Sequence, residues 1–170
     1  MNRKEKKMEK DIPWEWHMYT TQTPVALEVV PYTLYATMHY ISQVTTGLQF
    51  FQEHYKLSYT NMQIPGMLPN PQSFLIHSIR INGIASDLMF GVGRLQVGYK
   101  VMHDIPLYNF TMQQKGYKFF PYIMIAPLIH FNFEITWDRA CALGPGLDGG
   151  YQWERKIQVC FHGQLARPIQ

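Results

Sequence analysis

The segment that most constrains the fold is the run 129–138, in which large apolar and polar side chains alternate strictly. The apolar set is Ile129, Phe131, Phe133, Ile135 and Trp137, and the polar set is His130, Asn132, Glu134, Thr136 and Asp138. Successive side chains of a strand point to opposite faces of its sheet. The pattern therefore predicts a long, half-buried strand of an antiparallel sheet. Its apolar face needs an opposing layer, and a second sheet would supply one.

The rest of the chain contains further strand-like segments, separated by turn signals. They are 25–29 (closed by Pro31), 32–41, 47–55, 72–81, 94–101, 118–125 and 156–163. The count is about eight, no helix is indicated, and no internal repeat occurs. This pattern predicts an all-β fold, an antiparallel two-sheet sandwich, and the eight-stranded form of such a sandwich is a single jelly roll.

Several of these segments carry more detailed expectations. The segment 72–81 is apolar on both faces at its start, which predicts a central strand. In the segment 94–101, the side chains predicted to point inward are Leu95, Val97, Tyr99 and Val101. In the segment 156–163, they are Ile157, Val159 and Phe161. The loop 59–71 contains three prolines and cannot cross a sheet, but its apolar residues predict that it packs against the body.

The formal charge of +3 is concentrated at the beginning of the chain. Residues 1–10 hold five basic and two acidic groups, and the remainder holds ten of each. We expect residues 1–12 to form a short flexible basic arm and residues 13–170 to form one jelly-roll domain. A neutral body argues against a broad basic face for sequence-specific nucleic-acid binding. No apolar run is long enough for a membrane-spanning helix, and a secretory signal is not indicated.

The sequence lacks a pattern that would support catalysis. It contains no phosphate-binding loop, no dinucleotide fingerprint and no nucleophile elbow. On one strand His130 and Glu134 would lie about 13 Å apart, and Cys160 and His162 about 7 Å apart. Cys141 and Cys160 could form one disulfide or remain two unrelated thiols. We therefore expect no enzyme activity, no cofactor and no metal, and a cupin-like metal enzyme is the weakest of three hypotheses.

Two stretches carry a family resemblance. The first is TNM at 60–62, followed by GMLPNPQSF at 66–74 and the strand LIHSIRI at 75–81, and the second is FHGQLARPIQ at 161–170. Together they resemble single jelly-roll capsid proteins of tailless icosahedral bacterial and archaeal viruses. The resemblance implies a subunit that assembles into trimers, pentamers or hexamers of an icosahedral shell, in some members around a lipid vesicle. Many relatives carry two jelly rolls, whereas 170 residues hold only one.

The leading hypothesis is accordingly a viral capsid protein, made in the host cytoplasm and located in the virion. Its expected partners are copies of itself and other capsid proteins, with an internal membrane or the genome as candidates for the basic arm. The candidate arm contacts are Arg3, Lys4, Lys6, Lys7 and Lys10, and the candidate interface residues are Trp14, Trp16, Trp153 and Arg167. The alternative is a jelly-roll binding module for carbohydrate or a cell-surface partner, with Tyr151 and the three tryptophans as its exposed aromatics.

Overall fold

Eight strands and two short helices account for the regular structure in the described part of the chain. A computed structural model describes residues 26–41, 45–52, 58–112, 116–137 and 154–169. The elements are β1 Leu27–Ile41, β2 Gly47–Phe50, β3 Ser73–Asn82, α1 Ala85–Leu88, β4 Gly91–Val97, β5 Lys100–Pro106, α2 Tyr108–Met112, β6 Tyr117–Ile125, β7 Phe131–Trp137 and β8 Glu154–Pro168. The predicted arm 1–12 lies outside the described residues.

The strands form two antiparallel four-stranded sheets, ordered β1-β8-β3-β6 and β2-β7-β4-β5. We refer to these as the first and second sheets. The pairings are nested, since β1 pairs with β8, β2 with β7, β3 with β6 and β4 with β5. Successive nested pairs alternate between the sheets, as when one long hairpin is rolled up. This is a jelly roll, and the predicted all-β sandwich is confirmed.

The inner faces of both sheets supply one apolar core. The alternating segment forms β7, and Phe131, Phe133, Ile135 and Trp137 are all buried, as predicted. Ile157, Val159 and Phe161 of β8 are also buried, and β3 lies between β8 and β6 as a central strand. The Phe161 ring stacks on Phe51 with centroids 4.9 Å apart and meets Phe133 edge-on at 5.8 Å. These contacts join the first sheet to the second.

The loop between β2 and β3 packs on the body, as its apolar residues predicted. Met62 and Leu68 are buried. The loop also lies along the outer edge of β1, where the Thr37 N–H donates to the Tyr59 carbonyl at 2.6 Å. The Tyr35 N–H donates to Asn61 Oδ1 at 2.9 Å. The loop thus satisfies backbone groups that an edge strand would otherwise expose.

Two strand boundaries predicted from proline and from alternation are wrong. Pro31 does not close a strand, because β1 continues through it opposite Gln164. β1 is the edge strand of its sheet, where a residue without an N–H can be tolerated. The segment 94–101 is not one strand, since β4 and β5 form a hairpin that turns at Gly98, whose φ is +59°. Tyr99 and Val101 are therefore exposed and do not point inward.

Three smaller expectations also need correction. The strand predicted at 47–55 ends at Phe50, and Phe51 has a φ of +67°. The strand predicted from Ile129 begins at Phe131, after Leu128 with a φ of +58° has redirected the backbone. Ile129 is consequently exposed. The two helices were not predicted, because four and five residues are too few to establish a helical period.

The close approach of β8 to β3 predicts a strong effect for Gly163→Ala. A methyl group on Gly163 would overlap the Leu75 carbonyl oxygen and lie 2.9 Å from its carbonyl carbon. Both groups are backbone in the middle of a sheet, so we expect a loss of about 1–3 kcal/mol in unfolding free energy. Urea denaturation would measure it. Gly47→Ala is the matched control, because its methyl group would meet no atom closer than 3.6 Å. Equal stabilities of the two variants would contradict the packing argument.

Candidate functional site

Large apolar side chains are exposed at both ends of the sandwich. The α1 and α2 turns lie at one end, and the β4–β5 hairpin tip lies at the other, because antiparallel strands place alternate connections at opposite ends. We define the helical-end cluster as Met89, Phe90, Val92 and Tyr108. We define the hairpin-end cluster as Tyr99, Val101, Leu128 and Ile129.

Backbone contacts hold the helical-end cluster together. The Leu107 N–H donates to the Gly91 carbonyl at 2.9 Å. This bond places Tyr108 beside Phe90 and Val92, the residues on either side of Gly91. Val92 lies opposite Pro106 in the β4–β5 pairing. The Phe90 side chain is 77% exposed. The cluster therefore combines Val92 of β4 and Tyr108 of α2 with Met89 and Phe90 of the turn between α1 and β4, and all four residues are exposed to solvent.

The hairpin-end cluster is fixed in a similar way. The Gly98 N–H donates to the His130 carbonyl at 2.7 Å, and the Leu128 N–H donates to the Leu68 carbonyl at 3.0 Å. The first bond places the hairpin tip against the β6–β7 loop, and the second attaches that loop to the loop between β2 and β3. Tyr99 at the tip is fully exposed. Exposed apolar groups that share one surface often mark an interaction site.

A buried polar cluster anchors α1 to both sheets near the helical end. Asp87 is fully buried, and its carboxylate accepts from Arg155 Nη1 at 3.0 and 3.1 Å. The Tyr40 hydroxyl donates to the same carboxylate, and the Trp137 indole N–H donates to the Asp87 carbonyl at 2.7 Å. Tyr40 and Arg155 come from the first sheet, whereas Trp137 comes from the second. The cluster therefore fixes the position from which Met89 and Phe90 project.

Three of the four edge strands, β1, β5 and β6, carry features that disfavour pairing with another chain. The loop 59–61 covers the edge of β1, and β6 contains Pro121. β5 ends at Pro106, and its Asp104 pairs with Arg94 Nε at 2.8 Å. Proline and charge on edge strands prevent uncontrolled strand addition. Association of this fold would consequently depend on side chains at its ends and surfaces.

The outer face of the first sheet contains a concavity of about 760 Å³, which we call the polar groove. It is lined by Thr37, His39, Ser58, Tyr59, Asn82, Gly83, Ile84, Arg155, Lys156 and Gln158. Three of its side chains form a row across β1, β8 and β3. Asn82 Nδ2 donates to Gln158 Oε1, and Gln158 Nε2 donates to Thr37 Oγ1, each at 3.3 Å. Sequence reasoning did not find this groove, since it is formed by residues of three strands and two loops that are far apart in the sequence.

The Cys160 and His162 side chains lie on the same outer face without forming a catalytic pair. Burial raises the pKa of the Cys160 thiol, although nearby Arg80 opposes this, so the reactive thiolate is disfavoured. His162 Nδ1 lies 3.0 Å from Thr33 Oγ1, and burial followed by the charge of Arg80 lowers its pKa. Within the described ranges Cys160 is a free buried cysteine, and Cys141 lies outside them.

The other residues selected from the sequence have diverse environments. Arg167 Nε pairs with Glu28 Oε1 at 2.7 Å across β8 and β1, and both side chains are partly exposed. His77 is half-buried with its ring 4.3 Å from that of Tyr122, and burial lowers its pKa. The remaining candidates lie outside the described residues: Arg3, Lys4, Lys6, Lys7, Lys10, Trp14, Trp16, Tyr151 and Trp153.

The described residues contain neither a metal-ligand cluster nor a membrane-spanning helix. No group of three or more His, Cys, Asp or Glu side chains in the described ranges is arranged to hold a metal ion. Among the same residues, no helix has the length and apolar character needed to cross a membrane. In the comparisons with known proteins, no family model matches the chain and no curated protein matches it.

Proposed function

We propose that this chain is a viral capsid protein, a virion structural subunit whose copies assemble into an icosahedral shell. The observation that carries the proposal is the pair of apolar clusters at opposite ends of a rigid jelly roll. A subunit that only dimerises needs one self-complementary patch. A subunit that tiles a closed surface needs at least two different contacts, and two separated clusters meet that requirement.

Three further features support assembly with copies of the same chain. The residues beyond position 10 carry ten basic and ten acidic groups, so neighbouring bodies would not repel each other strongly. The features at the edges of β1, β5 and β6 disfavour strand addition there, which favours association through side-chain surfaces. The jelly roll also occurs in capsid, lectin and cupin domains, so the fold alone does not select the function. The resemblance at 60–81 and 161–170 favours the capsid class among these.

We propose that copies of the chain and other capsid proteins form trimers, pentamers or hexamers of a shell, and that the protein is located in the virion. The basic residues at 3–10 would contact an internal membrane, the genome or a neighbouring subunit. Sedimentation velocity and negative-stain electron microscopy of the purified protein test the proposal. We expect rings or shells at high concentration, and a strict monomer at every concentration and salt level would contradict it.

Charged substitutions in the clusters are expected to prevent assembly. Phe90→Asp and Tyr99→Asp each place a carboxylate where the proposed contact is apolar, and desolvating it costs a few kcal/mol. The protein concentration at half-assembly should therefore rise at least tenfold for each variant. Light scattering against concentration would measure this midpoint.

Gln49→Lys provides the control for these two variants. Gln49 is exposed on the outer face of the second sheet, on β2 opposite Glu134, and belongs to neither cluster. The Gln49→Lys variant should assemble at the same protein concentration as the unmodified chain. Disruption by Gln49→Lys and normal assembly of the other two would instead assign the contact to the outer face of the second sheet.

A further inference from the structure

We propose that the polar groove binds a carboxylated sugar, a glycan unit that combines several hydroxyl groups with one carboxylate. The groove lies on the outer face of the first sheet near the helical end, and none of its described lining residues belongs to either apolar cluster. The inference therefore does not depend on the capsid function. The volume of the groove, about 760 Å³, is within the usual range for small-molecule sites.

The floor of the groove is suited to hydroxyl groups. Asn82, Gln158 and Thr37 are hydrogen-bonded to one another in a row, which holds each side chain in a defined position. An amide has two N–H donors and an acceptor oxygen, so this row retains unused donors and acceptors for a ligand. Sugar hydroxyls both donate and accept, and they match such a surface better than an apolar ligand would.

One wall of the groove presents aromatic rings. The rings of His39 and Tyr59 meet edge-to-face, with centroids 5.2 Å apart. The Tyr59 carbonyl accepts the Thr37 N–H at 2.6 Å, which attaches this wall to β1. Ring faces pack against the C–H groups of a sugar, and such contacts add apolar area to a site that is otherwise polar.

The charge of the lining selects an acidic sugar over a neutral one. Lys156 and Arg155 both line the groove, and none of its described lining residues is acidic. Arg155 is already paired with buried Asp87. Lys156 forms no ion pair with a described residue, so its ammonium can bind a ligand carboxylate with a charge-assisted hydrogen bond.

The test compares two tetrasaccharides of equal length by isothermal titration calorimetry on the full chain. One alternates glucuronic acid and N-acetylglucosamine, and the other is an uncharged N-acetylglucosamine tetramer. We expect the acidic tetrasaccharide to bind at least tenfold more tightly than the neutral one. Equal affinities, or no binding of either sugar, would overturn the proposal.

A matched pair of lysine variants locates the binding site. Lys156→Gln should weaken binding of the acidic sugar about tenfold, since it removes one charge-assisted contact. Lys118→Gln removes an exposed lysine from β6 of the same sheet, outside the groove, and should leave the affinity unchanged. Equal losses in both variants would indicate general charge attraction and would refute the site. Thermal melting confirms that both variants fold.

Discussion

The variant Arg155→Met is expected to lose about 3–5 kcal/mol of unfolding free energy, since it removes the guanidinium that pairs with the fully buried carboxylate of Asp87. The methionine fills part of the volume of arginine but cannot compensate the charge. Asp87→Ala should cost less, because about a fifth of the Arg155 side chain is already exposed and the guanidinium can reach water. Urea denaturation of the purified protein, with the transition followed by tryptophan fluorescence, measures both values.

The Arg94–Asp104 pair provides the control for this prediction. It is also an Arg–Asp pair with two hydrogen bonds, at 2.8 and 3.4 Å, but both side chains are half exposed. Exposed pairs contribute at most about 1 kcal/mol, so Asp104→Ala should have a small effect. A loss for Asp104→Ala as large as that for Arg155→Met would show that burial does not determine the cost.

The second large effect is expected for Phe161→Ala, at about 3–5 kcal/mol. Phe161 is fully buried and contacts Phe51 and Phe133, so its removal opens a cavity where the two sheets meet. Neighbouring rings cannot close this cavity without moving the strands that carry them. The same denaturation experiment applies.

Phe120→Ala removes an identical side chain from the surface. Phe120 is 93% exposed on β6, and the substitution should change the stability by no more than about 0.5 kcal/mol. A cavity effect predicts this contrast between the two phenylalanines. Similar losses would mean that the aromatic residue type, and not its packing, controls stability.

Side-chain alternation predicts the sheets of this fold well because it records which face each residue buries. The pattern at 131–137 and 157–161 fixes two strands with the correct inward faces. It fails where a turn interrupts an alternating sequence. Tyr99 and Val101 continue the periodicity of Leu95, but Gly98 reverses the chain between them. Ile129 likewise fits the pattern and lies before the strand begins.

The candidate surfaces could not be predicted for a different reason. Phe90 and Tyr108 are separated in sequence by the whole β4–β5 hairpin, and the pairing of these strands together with the bond between Leu107 and Gly91 brings their neighbourhoods together. The groove depends on the register between three strands, such as the pairing of Gln158 with Thr37 on one side and Asn82 on the other. Periodicity identifies strands but contains no information about which strands are neighbours or how they are aligned.

The nested strand order has a consequence for biosynthesis. β8 lies between β1 and β3, so the first sheet cannot form until residues 154–168 have left the ribosome. Until then β1 and β3 lack the strand that joins them, and their apolar faces depend on other protection from aggregation. Most pairings are also long-range in sequence, which makes folding slow compared with that of helical proteins of this size. A chain interrupted before β8 would therefore lack the completed sandwich from which both apolar clusters project.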